Sequence, residues 1–258
     1  MAQLIELAHQ AGRAVMAIYR EDFAHRMKAD STPVTDADLA AEAVILAGLQ
    51  RIAPAIPVIS EEAAAGGAEK IGGEKFFLVD PLDGTREFLS RNGEFTVNIA
   101  LIEHGCPVAG VVYAPAAGGG RMFWGERGQG AAEGIVAPDG KLEVVCWRPI
   151  HVRRRPRGPL KVVASRSHRD AATESWLAGI EVGELVVAGS SLKFCLLAAG
   201  EADLYPRFGR TMEWDTAAGH AVLIAAGGEV KTEDGHPLTY GKRARGFDNP
   251  GFIASGKP

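Results

Sequence analysis

The sequence predicts an α+β protein of two lobes, and three observations predict it. Residues 3–20 and 36–49 repeat apolar side chains at helical spacing. Residues 56–145 break into short apolar or alternating runs punctuated by glycine and proline. Beyond residue 160, strand-like and helix-like segments alternate.

Taken in order, Leu4, Leu7, Ala8, Ala11, Val15 and Ile18 form one face of an amphipathic opening helix. Ser31-Thr-Pro-Val-Thr-Asp36 supplies turn chemistry and an N-cap for a second helix over Asp36–Leu49, with Asp38 in its first turn. Ile56–Ile59, Phe76–Val79, Phe95–Ile102, Val108–Tyr113, Arg121–Trp124 and Leu142–Val145 read as strands of a largely antiparallel sheet. Arg148-Pro-Ile-His-Val-Arg-Arg-Arg-Pro-Arg-Gly-Pro159 is basic, proline-rich and aperiodic, the composition of a solvated linker, and divides the chain into lobes 1–150 and 151–258. In the second lobe, strands at Leu160–Ala164, Leu185–Ala188 and Ala202–Tyr205 alternate with helices at Asp170–Ala178, Ser191–Ala199 and Asp215–Ala226, an α/β pattern. Gly227-Gly228 closes the last helix.

A chain of 258 residues that is 47% hydrophobic can bury a substantial core. Its net charge of −4 argues against a general nucleic-acid binder but not against one small anionic ligand. No apolar stretch approaches the roughly 18 residues that span a bilayer, and Met1-Ala-Gln-Leu-Ile-Glu-Leu7 has an acid where a signal peptide needs bases, so the sequence predicts a cytoplasmic protein. Cys106, Cys146 and Cys195 are odd in number and lack Cys-x-x-Cys spacing, which predicts neither disulfides nor a zinc site, with Cys195 in the core.

Chemistry concentrates at four places: Asp80-Pro-Leu-Asp-Gly-Thr85 after an apolar strand, Ser60-Glu-Glu62 at another strand end, Glu213-Trp-Asp215 at a helix start, and Asp38. Taken singly, Glu-Glu reads as a solvated turn, Asp215 as a helix cap and Asp38 as a first-turn acid. Two carboxylates three residues apart at the exit of a buried strand are harder to explain by stability alone. Hard divalent ions such as Mg²⁺ take carboxylate, carbonyl and water oxygens and bridge a few acids to a substrate phosphate. Glu61, Asp80, Asp83 and Asp215, with the Leu82 carbonyl between the two aspartates, suit such a set, and two or more ions sharing them would clamp a phosphate and acidify a water. Backbone amides at Gly84 and Thr85, opening a short helix, suit phosphate oxygens.

The combination of Val34-Thr-Asp-Ala-Asp38, Ser60-Glu-Glu62, Val79-Asp-Pro-Leu-Asp-Gly-Thr85 and Glu213-Trp-Asp-Thr-Ala-Ala-Gly219 resembles the inositol monophosphatase superfamily of magnesium-dependent, lithium-sensitive phosphatases, over essentially the whole chain. Arg86-Glu-Phe-Leu89, Arg91-Asn-Gly-Glu-Phe-Thr-Val-Asn-Ile-Ala100, Ser165-Arg-Ser-His168, Gly189-Ser-Ser-Leu-Lys-Phe-Cys195 and Asp203-Leu-Tyr-Pro-Arg-Phe-Gly209 are similar to its bacterial CysQ branch, which hydrolyses 3'(2'),5'-bisphosphate nucleotides, chiefly adenosine 3',5'-bisphosphate. Arg86 stands where that family often has lysine, keeping the charge.

The resemblance implies a layered α/β/α/β/α sandwich with the active site between the lobes. It implies two or three Mg²⁺ ions on Glu61, Asp80, the Leu82 carbonyl, Asp83 and Asp215, with Glu62 behind them or on a weaker third ion. Asp38 and Thr85 match the pair that orients and deprotonates the attacking water, and Glu61 belongs to the same catalytic set. Gly84, Thr85 and Asp215 match contacts to the scissile phosphate, and His168, Ser190, Lys193 and Arg207 match contacts to the nucleotide and its second phosphate. A monomer or homodimer is expected, without nucleic-acid partners; peripheral association with the inner membrane is implied for the branch but has no motif here. The segment Ala63-Ala-Ala-Gly-Gly-Ala68 is blander than the family's and is expected to be mobile until metal and substrate bind.

Simpler roles exist for the cations: Lys193 as an exposed helix residue, Arg207 as a partner of Glu213 or Asp203. The metal site alone does not choose between a nucleotide, an inositol phosphate and a sugar phosphate. A non-catalytic module gripping RNA or another polyanion through Arg148–Arg157, Lys193 and Arg207 is a rival of another class, but it has no need of a water-activating pair. Phosphate release lost on Asp83→Asn would discard it.

Overall fold

A computed structural model describes residues 1–21, 25–27, 33–65, 73–165 and 170–256. The chain opens with α1 (Ala2–Tyr19), a short antiparallel ribbon of β1 (His25–Met27) and β2 (Pro33–Thr35), and α2 (Asp36–Ile52). Then come β3 (Val58–Ser60), α3 (Glu61–Ala65), β4 (Lys75–Asp83), α4 (Thr85–Leu89), β5 (Thr96–Glu103), β6 (Cys106–Ala114), β7 (Arg121–Glu126), β8 (Gly130–Ile135) and β9 (Arg148–Ile150). The chain continues through β10 (Leu160–Ser165), α5 (Ala171–Leu177), β11 (Val182–Ala188), α6 (Leu192–Ala198), β12 (Leu204–Arg207), α7 (Glu213–Ala225), β13 (Glu229–Thr232) and β14 (Phe252–Ser255).

Strands β3 to β9 form a seven-stranded sheet in sequence order, antiparallel except for the β3–β4 pair. A five-stranded sheet runs β11-β10-β12-β14-β13, its first three strands parallel and the rest antiparallel. Alternation along β4 decides the layering. Phe77 and Val79 face α1 and α2, packing with Leu7, Ala11, Val15, Ala41 and Ile45. Phe76 and Leu78 face the other way, into a core shared with Phe194 of α6, Trp214 and Ala218 of α7, and Tyr205 and Phe252 of the smaller sheet. Leu177 of α5 closes the far face over Leu160, Val162 and Leu204. The result is the α/β/α/β/α sandwich.

Close approach of α7 to the large sheet depends on two glycines. A Cβ on Gly110 would lie 2.6 Å from the Ala218 carbonyl oxygen, and one on Gly125 2.7 Å from Val222 Cα.

Several elements differ from the sequence expectation. Leu142–Val144 is a 3₁₀ turn, not a strand; Leu142 and Val145, three residues apart, turn their side chains together onto the α1/α2 core. The first three residues of the expected linker form β9, paired with β8, a strand whose Gly-Ala-Ala composition hides it. The rest of that stretch is tied rather than merely solvated: Arg153 makes a bidentate pair with Asp203 at 2.6 and 2.5 Å, and the Val152 amide donates to the Ala226 carbonyl. The short strands β1, β2, β13 and β14 were also absent from the pattern. Cys106 and Cys146 are exposed thiols, and Cys195 is buried in the core, where burial pushes its thiol up. Among the described residues no helix is long and apolar enough to cross a membrane. Residues 66–68 of the bland segment lie outside the described residues; Ala63–Ala65 belong to α3.

Candidate active site

The exit of β4 is the centre of the site. The β4–β5 register slips between Asp80 and Asp83, and the Leu82 amide turns back to donate to Asp80 Oδ1 at 3.1 Å. This bulge turns both carboxylates toward one cavity, while the Leu82 side chain stays buried. Gly84 then takes φ +91°, and Thr85 opens α4. A Cβ on Gly84 would lie 2.3 Å from Ser190 Oγ, so glycine is required both by the left-handed turn and by the serine that presses on it.

Ser190 ties the two sheets together. Its hydroxyl lies 2.8 Å from the Asp83 carbonyl oxygen and 2.7 Å from that of Glu94, and its one proton serves either acceptor. Next to it, Ser191 Oγ donates to the Asp215 carbonyl at 2.7 Å and accepts from Asn98 Nδ2 at 3.0 Å. The same Asn98 amide lies 3.3 Å from Asp83 Oδ2. Asp83 and Asp215, more than a hundred residues apart, are thus held by one short chain of polar groups.

A cavity of about 220 Å³ opens over these residues. Glu61, Asp80, Leu82, Asp83, Gly84, Thr85 and Asp215 line it on the acidic side, with Arg86 and Glu87 of α4 beside them; Lys193, Arg207 and Arg210 bring positive charge, and Ser190 stands between. Nine of the residues singled out from the sequence therefore meet at one place: Glu61, Asp80, Leu82, Asp83, Gly84, Thr85, Ser190, Lys193 and Asp215. Arg207 joins them, and it pairs with neither expected acid: Glu213 pairs with Lys242 at 2.8 Å, and Asp203 with Arg153. Lys193 is buried rather than exposed. Asp38 is also buried, but not in the cavity wall; it accepts from the Thr35 amide and hydroxyl at 2.7 Å each, completing the capping box of α2. The ribbon that holds Thr35 packs against α4, which begins at Thr85. His168 lies outside the described residues.

Electrostatics single out the acidic side. Desolvation at the cavity wall raises the Asp215 carboxyl well above the usual carboxylate range, and the charges of Asp83 and Glu61 raise it further. Desolvation raises Asp83 too, against the nearby Lys193 ammonium, which favours its ionised form. Burial in turn lowers Lys193 to about 8, although Asp83 opposes the shift. Carboxylates that disfavour one another's charge would be stabilised by a cation placed between them.

The donor set suits a hard divalent ion. Among the described residues no three acidic, histidine or cysteine groups are gathered closely enough to hold an ion alone.

Arg210 of the cavity wall was not singled out from the sequence, and two supporting residues behind the wall escaped it as well. Glu42 of α2 accepts from Ser60 Oγ at 2.5 Å and from the Ala63 amide at 3.2 Å, fixing the strand-to-helix junction that presents Glu61. The available signal was its place one helical turn after Asp38. Asn98 faces Asp80 across the β4–β5 ladder; a buried amide within the apolar run from Val97 to Ile102 was the hint.

The model of the inositol monophosphatase family matches residues 1–254. The chain is 50% identical to the 3'(2'),5'-bisphosphate nucleotidase CysQ of Escherichia coli O157:H7 over 257 residues, covering 98% of each chain. It is 49% identical to that of strain K12, again with 98% of each covered. Among solved structures, CysQ from Bacteroides thetaiotaomicron, a bacterial member of the inositol monophosphatase family, is 38% identical and superposes with a TM-score of 0.83, covering 100% of this chain and 97% of its own. Sequence, fold and acidic cavity agree: the chain belongs to the inositol monophosphatase family.

Proposed function

We propose that the protein is a 3'(2'),5'-bisphosphate nucleotidase that hydrolyses adenosine 3',5'-bisphosphate to AMP and phosphate with Mg²⁺. Members of its family are metal-dependent phosphatases, and this chain is half identical to enzymes named for the nucleotidase reaction. The observation that carries the reading is the two-sided cavity, in which Glu61, Asp80, Asp83 and Asp215 share the wall with Lys193, Arg207 and Arg210. A monophosphate needs only the acidic side with its ions; a second phosphate needs cations away from them.

In this reading Glu61, Asp80, the Leu82 carbonyl, Asp83 and Asp215 would hold two or three Mg²⁺ ions. When bound, the metal neutralises phosphoryl oxygens and acidifies the attacking water. By resemblance, Thr85 and Asp38 form the pair that orients that water and takes its proton. The amides at Gly84 and Thr85 meet the scissile phosphate, whose charge grows on the departing oxygen as the bond breaks. Ser190 keeps the turn at Gly84 closed, so these donors stay fixed through the reaction. Lys193 and Arg207 provide positive potential on the nucleotide side, and the resemblance makes His168 a further nucleotide contact. In this reading the lobe 1–150 supplies most of the metal-side acids, and the lobe 151–258 supplies Asp215 and the nucleotide contacts.

The test is phosphate release from adenosine 3',5'-bisphosphate and inositol 1-phosphate, each with Mg²⁺, at matched concentrations. The bisphosphate is expected to be the better substrate by kcat/KM. A clear preference for the inositol compound overturns the assignment and leaves the family intact.

A further inference from the structure

Four cations line the cavity, Arg86, Lys193, Arg207 and Arg210, and they are not equivalent; Arg86 is exposed but follows Thr85 in α4, on the side of the acids. Lys193 is buried and donates to the Ser190 carbonyl at 2.6 Å, lying 5.4 Å from the centre of the Tyr205 ring. Arg207 is 7% exposed and donates Nε to the Gly209 carbonyl at 3.2 Å and Nη2 to that of Arg210 at 3.0 Å. Both therefore use donors to hold the backbone of the wall.

Arg210 is different. It lines the same cavity, its side chain is 70% exposed, and it pairs through Nε with Asp248 Oδ1 at 2.9 Å. Engaging Nε leaves the two terminal nitrogens, the fork that meets two phosphate oxygens in parallel. Its base is rigid: Arg207 clamps the Arg210 carbonyl, the Asn249 amide donates to the Thr211 carbonyl, and Met212 bridges to Asp248. An exposed pair of this kind contributes at most about 1 kcal/mol to folding, so stability does not explain an arginine at the mouth of an acidic cavity.

We propose that Arg210 grips the second, non-reacting phosphate of the substrate, with Asp248 aiming the guanidinium before substrate arrives. This rests on the nucleotidase reading above. Arg210 stands five residues before Asp215 on the segment that leads into α7, so one short stretch carries both a metal-side acid and a phosphate-side cation. Substrates bearing a second phosphate gain a charge-assisted contact there; those lacking it do not.

The test compares the wild-type enzyme with Arg210→Ala and Arg210→Lys on adenosine 3',5'-bisphosphate and on adenosine 3'-monophosphate, which keeps the scissile phosphate and lacks the other. Arg210→Ala should raise KM for the bisphosphate roughly tenfold or more, with kcat within about twofold, and leave KM for the monophosphate unchanged. Arg210→Lys should fall between, since charge is kept and the fork is lost. Both variants should melt with the wild type. An unchanged KM, or an equal rise for both substrates, overturns the proposal while a wild-type preference for the bisphosphate leaves the nucleotidase reading standing. A wild-type preference for inositol 1-phosphate overturns that reading, and the role of Arg210 with it.

Discussion

Removing the Glu42 carboxylate should weaken metal binding although Glu42 does not line the cavity. Oε1 of Glu42 accepts from Ser60 Oγ at 2.5 Å and from the Ala63 amide at 3.2 Å, so one oxygen fixes both the end of β3 and the start of α3. Glu61 lies between those two anchors. In Glu42→Ala the Ser60 hydroxyl, 1% exposed, loses its acceptor, a cost of about 1–3 kcal/mol. The junction relaxes, and Glu61 leaves the position the cavity needs. Loss of groups that orient metal ligands lowers affinity by roughly 10–100-fold. Calorimetric titration of the variant with Mn²⁺ should show a loss at the lower end of that range, and half-maximal activity should need correspondingly more Mg²⁺, with kcat recovering at saturating metal. Glu42→Gln keeps an acceptor oxygen and should restore most of the affinity. Metal binding by Glu42→Ala that matches the wild type would refute the reasoning, as would a fall in kcat that excess Mg²⁺ leaves in place.

Asp215→Asn keeps an oxygen for the Met212 amide, now 2.8 Å from Oδ2, and removes a charge that desolvation, Asp83 and Glu61 all oppose. Its melting temperature in EDTA should be at or above the wild type's, and the rise produced by Mg²⁺ should vanish; a lower melting point with the Mg²⁺ rise intact contradicts this. His220 is held neutral by burial, its value lowered to about 3. A depressed histidine takes up its proton on unfolding, so stability is full above the unfolded value near 6.5 and declines by about 1.4 kcal/mol per pH unit as pH falls toward 3. Urea midpoints at pH 7 and pH 5 should show a smaller drop for His220→Asn than for the wild type; equal drops exclude His220 as a source. Gly110→Ala places a Cβ 2.6 Å from the Ala218 carbonyl oxygen and 2.8 Å from Ala221 Cβ. Moving α7 outward should cost roughly 1–3 kcal/mol in denaturant unfolding and lower activity, because α7 carries Asp215; wild-type stability would show that the helix yields freely.

The parts of the site legible in the sequence are those in which local chemistry and function coincide. Asp80-Pro-Leu-Asp-Gly-Thr85 follows an apolar run and contains a glycine that the backbone itself demands, so strand, turn and acids are visible together. The layers were legible for the same reason, through alternation along β4 and the helical stripe of α1. What escaped depends on partners distant in sequence. β8 is a strand because β7 and β9 pair on both sides of a Gly-Ala-Ala segment with little intrinsic strand preference. Arg153 read as solvated until Asp203, fifty residues on, supplied its bidentate partner. Glu42 looked like any exposed helical acid, because nothing local announces that Ser60 will lie against it.

The Glu213-Trp-Asp215 motif shows how one short signature can serve two tasks. Glu213 is fully buried and faces away from the cavity: it accepts from the Gly241 and Lys242 amides at 2.7 and 2.8 Å and pairs with the Lys242 ammonium. Trp214 packs on Phe247 of the same loop. Asp215, two residues on, reaches the cavity and caps its own helix through the Met212 amide. The first acid locks the loop that carries Asp248 against the start of α7; the second presents charge to the substrate side. A carboxylate at Asp215 that neighbouring acids oppose keeps its place only if the helix start cannot rotate away, and Glu213 prevents that rotation. Structural and chemical acids therefore stand two residues apart because the second depends on the first.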